Sequence, residues 1–186
     1  MRRSNARWKI LVGGLFLGVV VPLALEPATI RAQLHPPEAR KAAPAFSLSD
    51  AAGKRVRLSD YRGKTVLLNF WATECGGCIL EIPLLVQMDQ SYKNDGLIVL
   101  GISMDISYEN LKNAQEGWGR VKPFVQAHRI EYPVLMGDDQ VTKIYDIEAL
   151  PVSYLIDKSG RIAATYLGVL DKANVEANIK ILLRER

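Results

Sequence analysis

Cys75 and Cys78 are the only cysteines of the chain, separated by Gly76 and Gly77. A thiol pair at C-x-x-C spacing can close into a local disulfide and reopen as a dithiol, the chemistry of electron-pair exchange with other disulfides. The pair follows an apolar and aromatic run, residues 65–72 (TVLLNFWA), and precedes a stretch in which Ile79, Ile82, Leu85, Val86 and Met88 recur at helical spacing. A cysteine opening that helix meets unpaired backbone N–H groups and the positive end of the helix dipole, which favour thiolate over thiol. Cys78 then falls one turn on, on the same face. A cysteine pair can also be two inert buried thiols, or half of a zinc site. The strand-to-helix junction argues against the first. The second lacks ligands, because the two histidines, His35 and His128, have no matching spacing.

Three more positions bear on this chemistry. Glu81 follows Cys78 by three residues and shares its helix face. A partly buried carboxylate there takes the proton from Cys78 when that thiol must act as a nucleophile; an exposed first-turn carboxylate, favoured by the dipole, is the competing reading. Pro151 precedes an apolar run, in Ala149-Leu150-Pro151-Val152-Ser153. A cis Leu150–Pro151 bond would leave the Leu150 peptide groups free to pair with an extended substrate, although trans is the more frequent state of a loop proline. Trp71 either flanks the path of the substrate or packs in the core, as aromatics in buried strands do.

The elements that hold these residues read as alternating strands and helices. Residues 65–72 form a central strand covered on both faces, and residues 97–104 (LIVLGISM) a second one. The helix from Cys75 runs to about Lys93, bent at Pro83. Residues 110–128 form a looser helical region, broken near Gly117 to Gly119. Residues 133–136 suit a short strand and residues 141–145 a helical turn. Residues 153–156 and 162–167 flank the turn Asp157-Lys158-Ser159-Gly160 as a hairpin, and a second hairpin surrounds Asp50 to Lys54. Val175, Ile179, Leu182 and Leu183 give the last helix its buried stripe. This order predicts an α/β fold, a mixed sheet sandwiched by helices.

Net charge is +4, from 24 Lys and Arg against 20 Asp and Glu, and the excess lies wholly in Arg2, Arg3, Arg7 and Lys9. The rest of the chain is neutral, so no basic face for nucleic acid is expected. Behind those bases, residues 10–25 (ILVGGLFLGVVVPLAL) carry no charge. At about 1.5 Å per residue they reach roughly 24 Å, close to the hydrocarbon thickness of a bilayer. Residues 1–30 therefore read as a signal peptide or, preferably, an uncleaved membrane anchor. Residues 31–44, rich in Pro, Ala and charge, read as a linker, and residues 45–186 as the catalytic domain on the extracytoplasmic side.

Asn69-Phe70-Trp71-Ala72-Thr73 before the cysteines, Glu81-Ile82-Pro83-Leu84 after them, and Leu150-Pro151 followed by Tyr154-Leu155-Ile156-Asp157 resemble the membrane-anchored ResA/TlpA-type thioredoxin-like proteins. Phe46-x-Leu48-x-Asp50, Leu58-Ser59-Asp60-Tyr61 and Gly63-Lys64 match the N-terminal hairpin of that group, and the resemblance covers about residues 45–184. It implies a thioredoxin fold with an N-terminal β-hairpin extension, Cys75 as attacking thiol, Cys78 as resolving thiol, Pro151 in cis and Glu81 as the acid beside the pair. It also implies protein disulfides as substrates, apocytochrome c among them, and a membrane thiol carrier as electron donor. No cofactor is implied beyond the redox-active Cys75–Cys78 disulfide.

The chain departs from that pattern where the family commonly has Trp before the first cysteine and Pro before the second; here they are Glu74 and Gly77. Glu74 disfavours a second negative charge on Cys75, and Gly76-Gly77 loosens the loop between the sulfurs. Asn69 stands where thioredoxin carries a buried Asp, which leaves proton transfer to Glu81, and Val152 replaces a Thr of many relatives. The expected reaction is thiol–disulfide exchange by a reductant with a potential of about −270 mV rather than about −120 mV. Two other classes compete. A copper chaperone would use the cysteine pair with His128 as third ligand. A peroxiredoxin would want Pro and Thr before its reactive cysteine, where Leu68 and Ala72 stand.

Overall fold

Strand β4 (Thr65–Trp71) is buried along its whole length, as a run apolar on both faces requires. The computed structural model describes residues 32–185, and the expected anchor, residues 1–30, lies outside them. Among the described residues no helix is long and apolar enough to cross a membrane. Parallel to β4 runs β5 (Leu97–Ser103), in the register Asn69↔Gly101, and parallel to β5 runs β6 (Val134–Met136). On the other side of β4, β7 (Val152–Ile156) and β8 (Arg161–Leu167) form an antiparallel hairpin, with Asn69 directly opposite Ser153. Strand β1 (Lys41–Ala42) pairs with β8, and the antiparallel pair β2 (Ser47–Asp50) and β3 (Arg55–Arg57) extends the other edge through β6. The order is β1-β8-β7-β4-β5-β6-β2-β3.

Alternation along β4 sorts the core into two halves. Leu67 packs with α1 (Gly76–Tyr92) and α5 (Lys172–Arg184), through Ile82, Leu85, Val175 and Ile179. Val66, Leu68 and Phe70 face the other way, toward Leu48, Leu58 and α4 (Asp139–Ile144). Helix α1 runs unbroken through Pro83 to Tyr92, and its predicted stripe is buried at Ile82, Leu85 and Met88. Ile79 does not join it and is exposed, because it lies off the face that buries Cys78, Ile82 and Leu85.

Two expectations differ from the structure. The helical region expected over residues 110–128 begins later, as α3 (Ala114–Ala127), capped by Asn113, whose side chain accepts from the N–H of Glu116, and a short α2 (Asp105–Tyr108) that was not expected precedes it. Helix α3 passes through Gly117 to Gly119 without a break. Gly117 serves close packing, since a Cβ there would stand 2.9 Å from Met136. The described part of the expected linker, residues 32–44, is docked on the domain. Ala32 is buried, the His35 N–H donates to Ala163 O, and β1 adds to the sheet. The Arg40 guanidinium bonds Asp157 Oδ2 at 3.2 Å and Glu185 at 2.6 and 2.7 Å. A charge this buried persists only when paired, so Arg40 fixes this segment in place. Its carboxylates hold the guanidinium pKa above the ordinary value against the opposing effect of burial.

Candidate active site

Strand β4 ends at Trp71, and four residues later the chain enters α1 with Cys75 as its N-cap. Cys75 Sγ accepts the Cys78 N–H at 3.3 Å, so the sulfur occupies the place of a capping oxygen. Cys75 and Cys78 form a disulfide with their Cα atoms 5.2 Å apart. The two sulfurs differ in access: Cys75 is 5% exposed and Cys78 is 0% exposed. Beside Cys75, Glu74 and Gly76 are exposed and Gly77 is half-buried.

The Leu150–Pro151 peptide is cis, and Pro151 lies against the disulfide loop. A Cβ added to Gly77 would come within 3.2 Å of Pro151 Cδ and 3.5 Å of Val169 Cγ2. The glycine thus lets the proline loop approach the bridge closely. Leu150 is half-buried beside it.

Glu81 sits one turn beyond Cys78 and is 1% exposed, which excludes the surface-carboxylate reading. Asn69 Nδ2 donates to Glu81 Oε1 at 2.6 Å, and the Leu170 N–H donates to Oε2 at 3.2 Å. Burial pushes the Glu81 pKa from 4.5 up to about 7, against the lowering effect of those two donors. Asn69 Nδ2 also donates to Ser153 Oγ at 2.9 Å, across the β4–β7 pair.

Trp71 belongs to the core and not to the rim of the site, a correction to its expected place beside the substrate. It is 1% exposed and stacks on Phe124 at 5.2 Å between centroids. Residue 71 points to the same side of the sheet as Leu67 and Asn69, and α3 covers that end. Phe124 in turn stacks on His128, whose Nδ1 is 3.1 Å from Phe124 O. Among the described residues no three His, Cys, Asp or Glu side chains come together as metal ligands.

One part of the site escaped the sequence reading. Asp105, fully buried at the end of β5, accepts the Thr73 N–H at 3.2 and 3.3 Å and bonds the Thr73 hydroxyl, while Ser103 Oγ donates to it at 2.7 Å. This carboxyl clamps the loop two residues before Cys75. The available signal was its place just past the carboxyl end of a buried parallel strand, where α/β sheets gather functional groups.

Residues 39–165 match the AhpC/TSA family. The thiol-disulfide oxidoreductase ResA of Geobacillus kaustophilus is 34% identical over 139 residues, 74% of each chain. ResA of Bacillus subtilis is 30% identical over 141 residues, 75% of this chain and 73% of the relative. The chain belongs to the AhpC/TSA family, as a ResA-type thiol–disulfide oxidoreductase. A crystal structure of a thiol:disulfide interchange protein of the thioredoxin family from Chlorobium tepidum matches with a TM-score of 0.66 and 28% identity, over 77% of this chain and 97% of that one. The mixed sheet and its helices are thus thioredoxin-like. In a ResA-type oxidoreductase the Cys75–Cys78 bridge is the redox group, and Glu81, Asn69, Ser153 and the Pro151 loop are what this fold arranges around it.

Proposed function

We propose that this oxidoreductase works outside the cytoplasm as a reductant of protein disulfides, held to the membrane by residues 1–30 and re-reduced by a membrane thiol donor. In the dithiol state the Cys75 thiolate, favoured by the helix N-terminus, attacks a substrate disulfide and releases one substrate thiol. Cys78 then gives its proton to Glu81 and displaces the second substrate thiolate, leaving the Cys75–Cys78 bridge. The substrate gains two electrons and the enzyme loses two, and no cofactor is needed because the sulfurs carry the pair. Apocytochrome c is one substrate that the resemblance to ResA/TlpA-type proteins implies.

The observation that carries this reading is the buried Glu81 carboxyl, with its pKa at about 7, one turn behind the inaccessible sulfur. A group titrating near neutrality suits a base that must both take and release a proton. It also supports the reductant direction. Glu81 near Cys78 and Glu74 beside Cys75 both disfavour thiolate, which favours the disulfide over the dithiol and makes the dithiol a donor. Exposed Leu80, Leu167 and Val169 suit a polypeptide substrate with apolar flanks.

Equilibration of the full-length protein with glutathione buffers tests the direction: the expected midpoint is about −270 mV, and a value near −120 mV refutes the reductant reading. A Cys78→Ser variant should accumulate a mixed disulfide through Cys75, whereas Cys75→Ser should form none. Equal trapping by both variants would overturn the assignment of roles.

A further inference from the structure

Asn69 is fully buried and uses both hydrogens of its amide, one toward Glu81 Oε1 and one toward Ser153 Oγ. Its Oδ1 has no hydrogen-bond partner among the described residues. Buried acceptors are rarely left in this state, and here the missing donor appears when Glu81 takes a proton. A protonated carboxyl carries an O–H that needs an acceptor, and the Nδ2 group facing it supplies none. Turning the amide by half a revolution presents Oδ1 to that O–H. Ser153 follows without moving, because its hydroxyl accepts from Nδ2 in one orientation and donates to Oδ1 in the other.

We propose that Asn69, backed by Ser153, is a positioning residue for the proton that Glu81 receives: its amide turns end for end as Glu81 changes protonation state, donating to the carboxylate and accepting from the acid. This rests on the reading that Glu81 takes the Cys78 proton. The step is balanced: the proton leaves Cys78 Sγ and arrives on the Glu81 carboxyl, while the amide exchanges its two donated hydrogen bonds, to Glu81 and Ser153, for two accepted from them. The other groups facing Glu81 do not supply the acceptor. On α1, Cys78 is the proton's source, and Asp89, two turns on, forms its ion contact with Lys93 at 3.9 Å. From the loop before β6 comes the Tyr132 hydroxyl, kept neutral by burial and then by Glu81 and Asp89, and it forms no hydrogen bond with Glu81 in this arrangement. Before α5 the Leu170 N–H is a donor only. Because Glu81 titrates near neutral pH, both orientations are populated under working conditions.

Nuclear magnetic resonance of the oxidised full-length protein, labelled at the Asn amides and Glu carboxyls, tests this directly across pH about 5 to about 9. Above the Glu81 midpoint the Asn69 amide protons should show Overhauser contacts to the Glu81 side chain; below it those contacts should vanish, with the same midpoint. Contacts that persist through a clear Glu81 titration overturn the turning amide and leave the role of Glu81 intact. A Glu81 carboxyl that keeps one charge throughout overturns both. In stopped-flow resolution of a mixed disulfide, Asn69→Leu should move the rate profile to higher pH. The rate at neutral pH should then fall by about tenfold for each pH unit the profile moves, with the alkaline rate preserved. An equal loss at every pH would mark a purely structural residue and refute the proposal. Should Asn69→Leu fail to fold, the resonance titration of the native protein decides.

Discussion

Replacing Glu81 by Gln should flatten the pH dependence of stability, and the size of the effect follows from the burial of this carboxyl. Its pKa rises from 4.5 in water to about 7 in the fold. Each tenfold change in proton affinity corresponds to about 1.36 kcal/mol, so the carboxyl makes the oxidised protein about 3 kcal/mol less stable when it must ionise than when it is protonated. Between those two values the folded state binds more protons than the unfolded chain, so stability falls as pH rises and levels off above the folded pKa. Glu81→Gln keeps the shape and stays neutral at every pH. The variant should match the wild type near pH 4.5 and exceed it by about 3 kcal/mol above pH 7.5, as read from urea denaturation with the disulfide intact. The other shifted acid with a structural role, Asp157, is pushed up by burial but lowered overall by Ser159, Arg161 and Arg40; it acts at more acid pH and cancels in the difference. A difference curve with no pH dependence, or one favouring the wild type at alkaline pH, would refute the reasoning.

Asp105→Asn should put an amide donor against the Thr73 and Ser103 donors, lowering stability by about 1–3 kcal/mol and changing the alkylation rate of reduced Cys75; unchanged unfolding and alkylation would show that the clamp does not hold the loop. Arg40→Met leaves Asp157 buried with fewer partners and should cost on the order of 3 kcal/mol by thermal or urea denaturation, while wild-type stability would mean that residues 32–44 contribute nothing to the domain. Gly77→Val crowds Pro151 and Val169, with an expected loss of about 1–3 kcal/mol. It should also slow exchange with a protein disulfide more than with a small aromatic disulfide, and equal slowing would remove the Pro151 face from substrate binding.

Sequence legibility followed the range of the interactions. Residues 65–71 were readable as a central strand because an unbroken apolar run can be buried only with both faces covered. The cysteine pair was readable because its chemistry depends on spacing along one helix. Residues 32–44 were not, because their docking depends on Arg40 meeting Asp157 and Glu185, which lie 117 and 145 residues away in the chain; composition alone describes a linker. Helix α3 keeps its path through two glycines because Met136, from a different element, fills the space beside Gly117. Trp71 allowed two placements, and only the position of α3 chose between them. Asp105 carried no spacing signal toward Thr73, since the two meet through parallel strands in register.

The arrangement separates the two halves of the exchange by their response to acid. Cys75 is the sulfur a substrate can reach, and its thiolate is supported by backbone dipoles, which do not titrate. Cys78 is sealed, and in the proposed mechanism its activation depends on Glu81, a carboxylate that becomes an acid near pH 7. Lowering the pH through that value should therefore slow resolution more steeply than the intrinsic thiol titration alone, while the first attack follows only the Cys75 thiolate fraction. Mixed disulfides should thus accumulate in the wild type at mildly acid pH and clear on return to pH 8. Rapid quenching with acid and separation of the adducts measures both phases. If the two phases slow in parallel, the buried acid takes no part in resolution, and the sulfurs differ only in access.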